Sequence, residues 1–325
     1  MEKSIPIMRD EISRQVHIEI SRANVQLASL AGTCIDSIII NSSDPREAPY
    51  LSMLLPRLSP YIGNLLERRV ADLLNREVRH GFRWIHQEQD IPETCLLSPG
   101  NISTECGFEV KAWHALSSKI TSRFRVSTQQ LKGRNIRLVI ISWMMTKVLF
   151  GAPTILDVLS VDAYSVARLR DFNYHNPPEN LIIEPEDIQN DGDSLQRNHV
   201  NGYRIMEREP EALEAAWAAA RSHPDFQAPP GSERAQDFSR MLLEKYEYKL
   251  DGKFAKIDWA KHPEVEAFKS NVLRMEPYGC PLKDWPFVLR GMQNTDNREA
   301  DGQSLKLLEE LYSQEAEGCI RRTTR

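Results

Sequence analysis

Apolar residues recur every three or four positions between residues 10 and 31, at Ile12, Val16, Ile20, Ala23, Leu27 and Leu30. That spacing predicts an amphipathic helix. A second helix follows proline-rich loops, with Leu66, Val70, Leu73, Leu74 and Val78 as its stripe and Gly81 closing it. Glu67 sits beside the stripe, placed to face a sheet. The period then changes. "FRWIHQEQ" (82–89) and "ETCLLS" (93–98) read as short strands, and "SPGN" as a turn. In "GFEVKAW" (107–113), Phe108, Val110 and Ala112 alternate with Glu109, Lys111 and Trp113, which is strand periodicity. A helix from Ser117 to about Leu131 is expected, broken by "KGRN". The continuous apolar run "IRLVIISWMM" (136–145) predicts a strand covered on both faces. "TILDVLSVD" (154–162) is a further strand, 163–175 a helix stopped by "NPP", and "NLIIEPED" (180–187) another strand.

The order is helix, three strands, helix, two strands, helix, strand. It predicts an α/β fold with a central mixed β-sheet flanked by helices. Beyond Glu207 the pattern is mainly helical, with "PDFQAPPGSER" (224–234) as a long loop or linker. Three segments follow: a helical N-terminal segment 1–60, a core 61–206, and a mainly helical C-terminal region 207–325. The apolar spacing Met241, Leu242, Tyr246 and Leu250 places "SRMLLEKYEYKL" on a helix.

Composition narrows the class. At 41% hydrophobic and 27% charged, the 325-residue chain suits one large domain or two modest ones. Its apolar runs are too short to span a bilayer, and the first residues lack the apolar stretch of a secretory signal. The five cysteines are scattered without a CxxC pair, which points away from a zinc ribbon or disulfide framework and toward a cytoplasmic location. The net charge of −5 is unevenly spread. Lys111, Lys119, Arg123, Arg125, Lys132, Arg134 and Arg137 follow one another without an intervening acid. Such segregation is what a phosphate-binding face needs, although charge runs are also common on plain solvated surfaces.

The chemistry-bearing stretch is "DIPETCLLSPGNISTECGFEVKAWH" (90–114). Positions two apart on a strand point the same way, so Glu109 and Lys111 share a face. A neighbouring strand opened by Pro92 can bring Glu93 beside Glu109. Two converging carboxylates make a hard, oxygen-rich site that suits Mg2+, which keeps waters and a phosphate oxygen as its other ligands. A lysine beside the ion stabilises an acidified water and offsets charge in a phosphoryl transition state. The supported chemistry is phosphodiester hydrolysis. The competing reading is a salt-bridged sheet edge, since buried charges must be paired.

A strand bearing Glu-x-Lys, preceded by a hairpin strand opened by a Pro-acid pair, resembles the PD-(D/E)XK nuclease superfamily. Glu109-Val110-Lys111 matches the second half in full. The first half departs from the pattern, because Pro92 is followed by Glu93 rather than aspartate. Asp90 is the rival for that place, and Glu67 corresponds to an extra acidic residue kept by many members. Over residues 60 to 187 the element order, with the blocks "GFEVKAWH", "RLVIISWMM" and "YHNPPENLIIEPED", is similar to type II restriction endonucleases. The resemblance implies a restriction-endonuclease-like fold in a bacterial, Mg2+-dependent homodimer that cuts both strands of a short DNA site. It implies Glu93, Glu109, Lys111 and Asp90 as catalytic residues, and Glu93, Glu109, Asp90 and Glu67 as metal ligands. A structure-specific repair nuclease and a non-catalytic DNA-binding scaffold are the alternatives.

Lys119, Arg123, Arg125, Lys132 and Arg134 are candidate phosphate contacts. Within "SLQRNHVNGYR" (194–204), Gln196, Arg197, Asn198 and Asn201 are side chains of the kinds that read base edges. The spelling recurs at Pro224-Asp225 and Glu247-Tyr248-Lys249, but the helical spacing there makes residues two apart diverge. His114 is most simply a strand-end residue, and Trp113 and Trp143 are core.

Overall fold

The computed structural model describes residues 4–41, 44, 47–87, 91–175, 203–205, 210–225, 233–245, 248–250 and 255–291. Two compact units interleave along the chain. One takes residues 1–120, 138–160 and 267–325, and the other takes 121–137 and 161–266.

Helix α1 (Ser4–Ala28), α2 (Ala48–Leu54) and α3 (Ser59–Leu74) belong to the first unit. Ile62, Leu66, Val70, Ala71 and Leu74 form the buried stripe of α3. The sheet comprises β1 (Arg83–His86), β2 (Thr94–Ser98), β3 (Ile102–His114), β4 (Asn135–Lys147) and β5 (Phe150–Asp162), side by side in that order. The mixed five-stranded sheet and its helices make the α/β class expected from the pattern. β4 is buried almost throughout, as its unbroken apolar run requires. Its one buried polar residue inside the run, Ser142, exchanges hydrogen bonds of 2.9 and 3.0 Å with the backbone of Asp157 on β5.

Helix α3 packs across β1, β2 and β3. Its C-cap residue Asn75 locks it to β1: the side chain accepts from the Trp84 N–H (2.9 Å) and donates to the Trp84 carbonyl (2.7 Å). Trp84 in turn lies against Phe108 of β3, ring centroids 5.1 Å apart. β1 and β2 pair antiparallel, as do β2 and β3, with Thr94 opposite Phe108 and Cys95 opposite Gly107. The β2–β3 register shifts between Cys95 and Leu97. Glu105, in the extra length of β3, has φ of 56° there, the left-handed conformation of a bulged strand.

The second unit contains α5 (Ala163–His175), α6 (Pro210–Ser222), α7 (Glu233–Lys245) and the small antiparallel pair β6 (Tyr203–Ile205) and β7 (Tyr248–Leu250). Helix α8 (Pro263–Arg274) begins in this unit, and α9 (Trp285–Gly291) lies in the first.

Two expectations fail here. The helix expected over 117–131 shrinks to α4 (Thr128–Leu131), opened by a Ser127–Gln130 capping box. The segment before α4 is extended because distant partners claim its backbone. Phe124 N–H donates to the Ala255 carbonyl at 2.7 Å, and Ile257 N–H to the Ser122 carbonyl at 3.1 Å. Buried Arg170 donates to the carbonyls of Phe124 and Val126, lies over the Phe124 ring and pairs with Asp171. A guanidinium with four committed contacts outweighs the modest helix propensity of this Ser/Thr-rich stretch. The second failure is in "SRMLLEKYEYKL": α7 stops at Lys245, and Tyr248–Leu250 is a strand rather than helix because it pairs with Tyr203–Ile205. The strand expected at 180–187 lies outside the described residues.

Candidate active site

Glu109 and Lys111 project from one face of β3, and Glu93 ends its side chain beside them. β2 begins at Thr94, so Glu93 is the residue just before the strand. Its carbonyl accepts from the Gln87 N–H at 2.7 Å, which holds its backbone against β1. The β2–β3 pairing stops at Thr94–Phe108, and Val110 lies two residues beyond it. The Pro92 carbonyl accepts from Gln87 Nε2 at 3.0 Å, and the Val110 N–H donates instead to Glu93 Oε2 at 2.8 Å. The carboxylate thus occupies the place of a missing ladder rung.

Lys111 Nζ lies 2.5 Å from Glu93 Oε1 and 2.9 Å from Glu109 Oε1. Glu109 Oε2 is buried and has no hydrogen-bond partner. Such an atom costs about 1–3 kcal/mol unless something satisfies it. Glu67 reaches the same cluster from α3 and feels Lys111, His86 and Glu109 electrostatically. With three carboxyls against one ammonium, the cluster is short of positive charge.

The titration of the groups reflects that shortage. Burial pushes the Glu93 carboxyl up to about 7, Glu109 adding to the rise and Lys111 opposing it. Burial raises Glu67 as well, with Lys111 and His86 opposing. Burial alone would lower Lys111, but Glu109 and Glu93 outweigh it and hold the ammonium above its ordinary range. A dense negative site that retains a proton or takes a cation is the arrangement these directions describe.

Gly107 explains how Glu93 is placed. A Cβ built at residue 107 would lie 2.2 Å from the Thr94 carbonyl oxygen and 2.3 Å from Pro92 Cγ. The residues on either side of Glu93 therefore press directly on the β3 backbone, an approach that only glycine allows.

The other anticipated residues divide by unit. Lys119 is exposed in the first unit. Arg123, Arg125 and Lys132 are exposed and Arg134 half-buried in the second. Asp90, Gln196, Arg197, Asn198 and Asn201 lie outside the described residues. In the second Pro-Asp stretch, Asp225 is paired with Arg234 and lies 3.9 Å from His223. His114 is buried against Trp143, ring centroids 4.6 Å apart, and burial drives its pKa down to about 4.

Sequence reasoning missed His86 and Gly107. His86 sits opposite Thr94 at the end of β1, and its Nδ1 is buried without a partner. The packing of α3 on β1, clamped by Asn75 at Trp84, brings it near Glu67, and no local spacing encodes that. The signal for Gly107 was present: a glycine directly before the Glu-x-Lys strand stretch.

Among the described residues, no group of three or more His, Cys, Asp or Glu side chains is arranged to hold a metal ion by itself. A cation here would rest on Glu109 and Glu93 and complete its shell with water and substrate oxygens, as Mg2+ commonly does. The orphaned Glu109 Oε2 and the surplus of carboxyls fit such an ion. No family model, curated protein or solved structure matches this chain.

Proposed function

We propose that the protein is a Mg2+-dependent, site-specific DNA endonuclease with a PD-(D/E)XK-like core, acting as a bacterial cytoplasmic restriction enzyme on double-stranded DNA and working as a homodimer. The observation that carries the reading is the meeting of Glu93, Glu109 and Lys111, with a buried Glu109 oxygen left free. A bound Mg2+ would supply an acidified water and offset charge on the phosphate. Glu109 and Glu93 hold the ion, and Glu67, with Asp90 from outside the described residues, adds to the acidic shell. Lys111 holds its proton firmly between two carboxylates, so it acts as a fixed positive charge facing negative charge that develops on the substrate. Glu93 does two tasks, since its other oxygen ties it to β3. Lys119, Arg123, Arg125, Lys132 and Arg134 position phosphates, and Gln196, Arg197, Asn198 and Asn201 contact bases. Two-fold symmetry of the dimer would mirror that of the DNA site.

One observation favours a second reading, a DNA-binding scaffold. Lys111 already bridges both carboxylates, as a purely structural ion-pair network would. A supercoiled plasmid separates the two. With Mg2+ it should yield discrete fragments, and EDTA should abolish them. Lys111→Ala should retain DNA binding and lose cutting by about 100-fold or more. Cutting at the normal rate by that variant refutes the assignment. No cutting by the native protein supports the scaffold, and a smear in place of bands supports a structure-specific nuclease.

A further inference from the structure

A cavity of about 550 Å³ opens within the second unit, lined by Tyr164, Ser165, Arg168, Leu169, His262 and Pro263. Its size suits a small organic ligand. None of these residues belongs to the Glu93–Glu109–Lys111 cluster. Tyr164, Leu169 and Pro263 supply flat and apolar wall. Among the described residues that line it, Arg168 is the one permanent charge, and its side chain is exposed and makes no ion pair with another described residue. Among the described residues, no carboxylate lines the cavity.

The Ser165–His262 contact resembles a nucleophile and its base, but the hydrogen bonds argue otherwise. Ser165 Oγ lies 2.8 Å from the Asp162 carbonyl and 3.1 Å from His262 Nε2. A carbonyl only accepts, so the hydroxyl proton goes to Asp162. His262 Nε2 must then carry a hydrogen and donate it to Ser165 Oγ. In the neutral ring, Nδ1 is left as an acceptor, and it is buried with no donor. His262 is only 8% exposed. Nothing orients this imidazole as a base, so the pair is a polar wall that binds rather than attacks.

An apolar slot with an aromatic face and, among the described residues that line it, a single guanidinium selects a flat ligand bearing one anionic group. We propose that this cavity binds a nucleotide, its base packed against Tyr164 and Pro263 and its phosphate held by Arg168. The same chemistry comes from two sources: a free nucleoside monophosphate, or one nucleotide of a single DNA strand. The inference does not depend on the nuclease reading, and its test runs in EDTA, where no cutting occurs.

The probe is dAMP, titrated calorimetrically into the full chain, with deoxyadenosine and inorganic phosphate as comparators. dAMP should bind at least about tenfold more tightly than either, because stacking and charge act together. Arg168→Gln should erase the advantage of dAMP over deoxyadenosine and leave deoxyadenosine unchanged. Tyr164→Leu should weaken both. Melting curves check that each variant folds. A 5′-phosphorylated deoxyadenosine tetranucleotide identifies the source: competition with dAMP that Arg168→Gln abolishes points to a strand, and failure to compete points to the free nucleotide. The proposal is overturned if dAMP binds no better than phosphate, or if Arg168→Gln binds it as the native protein does.

Discussion

Glu93→Gln provides a test of the site that needs no substrate. The native carboxyl titrates near 7, against an ordinary value of 4.5. Between those values the folded chain keeps a proton that the unfolded chain has released. Stability therefore declines as pH rises through this window, and levels off above about 7. At about 1.4 kcal/mol per pH unit, the window amounts to roughly 3 kcal/mol. At 2–4 °C per kcal/mol, that is a fall in Tm of about 5–10 °C between pH 5 and pH 8. Glutamine keeps the shape but does not titrate. Its Tm should change much less over the same range, apart from a pH-independent offset for the one contact, to Val110 N–H or to Lys111, that its amide nitrogen cannot accept. The measurement is a pair of melting curves taken at half-unit pH steps without divalent ions. The difference between native protein and variant reports Glu93 together with its coupling to Glu109, Glu67 and Lys111, while groups outside the cluster cancel to first order. A difference that stays constant from pH 5 to pH 8 would refute the raised carboxyl and the crowding that explains it.

Millimolar Mg2+ at pH 8 should raise the native Tm, by an amount equivalent to about 2.7 kcal/mol at a hundredfold excess over Kd. Glu109→Gln should largely lose that rise, and an equal rise in the variant would remove Glu109 from the metal shell. Gly107→Ala should cost about 1–3 kcal/mol in denaturant melts, from forced overpacking. It should also lower plasmid cutting by about 100-fold, because Pro92 and Thr94 must retreat by roughly 1 Å and carry Glu93 with them; unchanged cutting would show that this contact does not place the carboxylate.

Legibility in the sequence followed the range of the forces involved. β3 was legible because alternation is local, and its Glu109 and Lys111 share a face by the pleat alone. α5 was found with its observed ends, Ala163–His175, since Asp162 caps one end and Asn176-Pro177 follows the other. Residues 117–127 were misread because their conformation is set by Arg170 and by Ala255–Ile257, far away in the chain. β7 was misread for the same reason: its only reason to be a strand is β6, more than forty residues earlier. Of the helical apolar spacing in that segment, Met241 and Leu242 fall within α7, which ends at Lys245, while Leu250 falls in the strand. Within the site, the residues joined by strand pairing could be read, and His86 could not, because it arrives through the packing of α3 on β1.

The glutamate at 93 also acquires a physical reason. By spelling it is a departure, since the pattern it resembles places aspartate after the proline. In this fold the chain leaves the β2–β3 ladder at Thr94, and Gly107 lets Pro92 lie flat on β3. The side chain that follows must reach back to the Val110 N–H at 2.8 Å while its other oxygen meets Lys111 Nζ at 2.5 Å. Aspartate is one methylene shorter and would have to give up one of those contacts. Giving up the first leaves a backbone donor without its partner; giving up the second leaves Lys111 with Glu109 alone. Either loss costs on the order of 1–3 kcal/mol. The longer acid, the glycine that admits the proline and the missing rung at Val110 are thus one solution to a single geometric problem, and a Glu93→Asp variant with its pairing broken should lose stability even though its charge is kept.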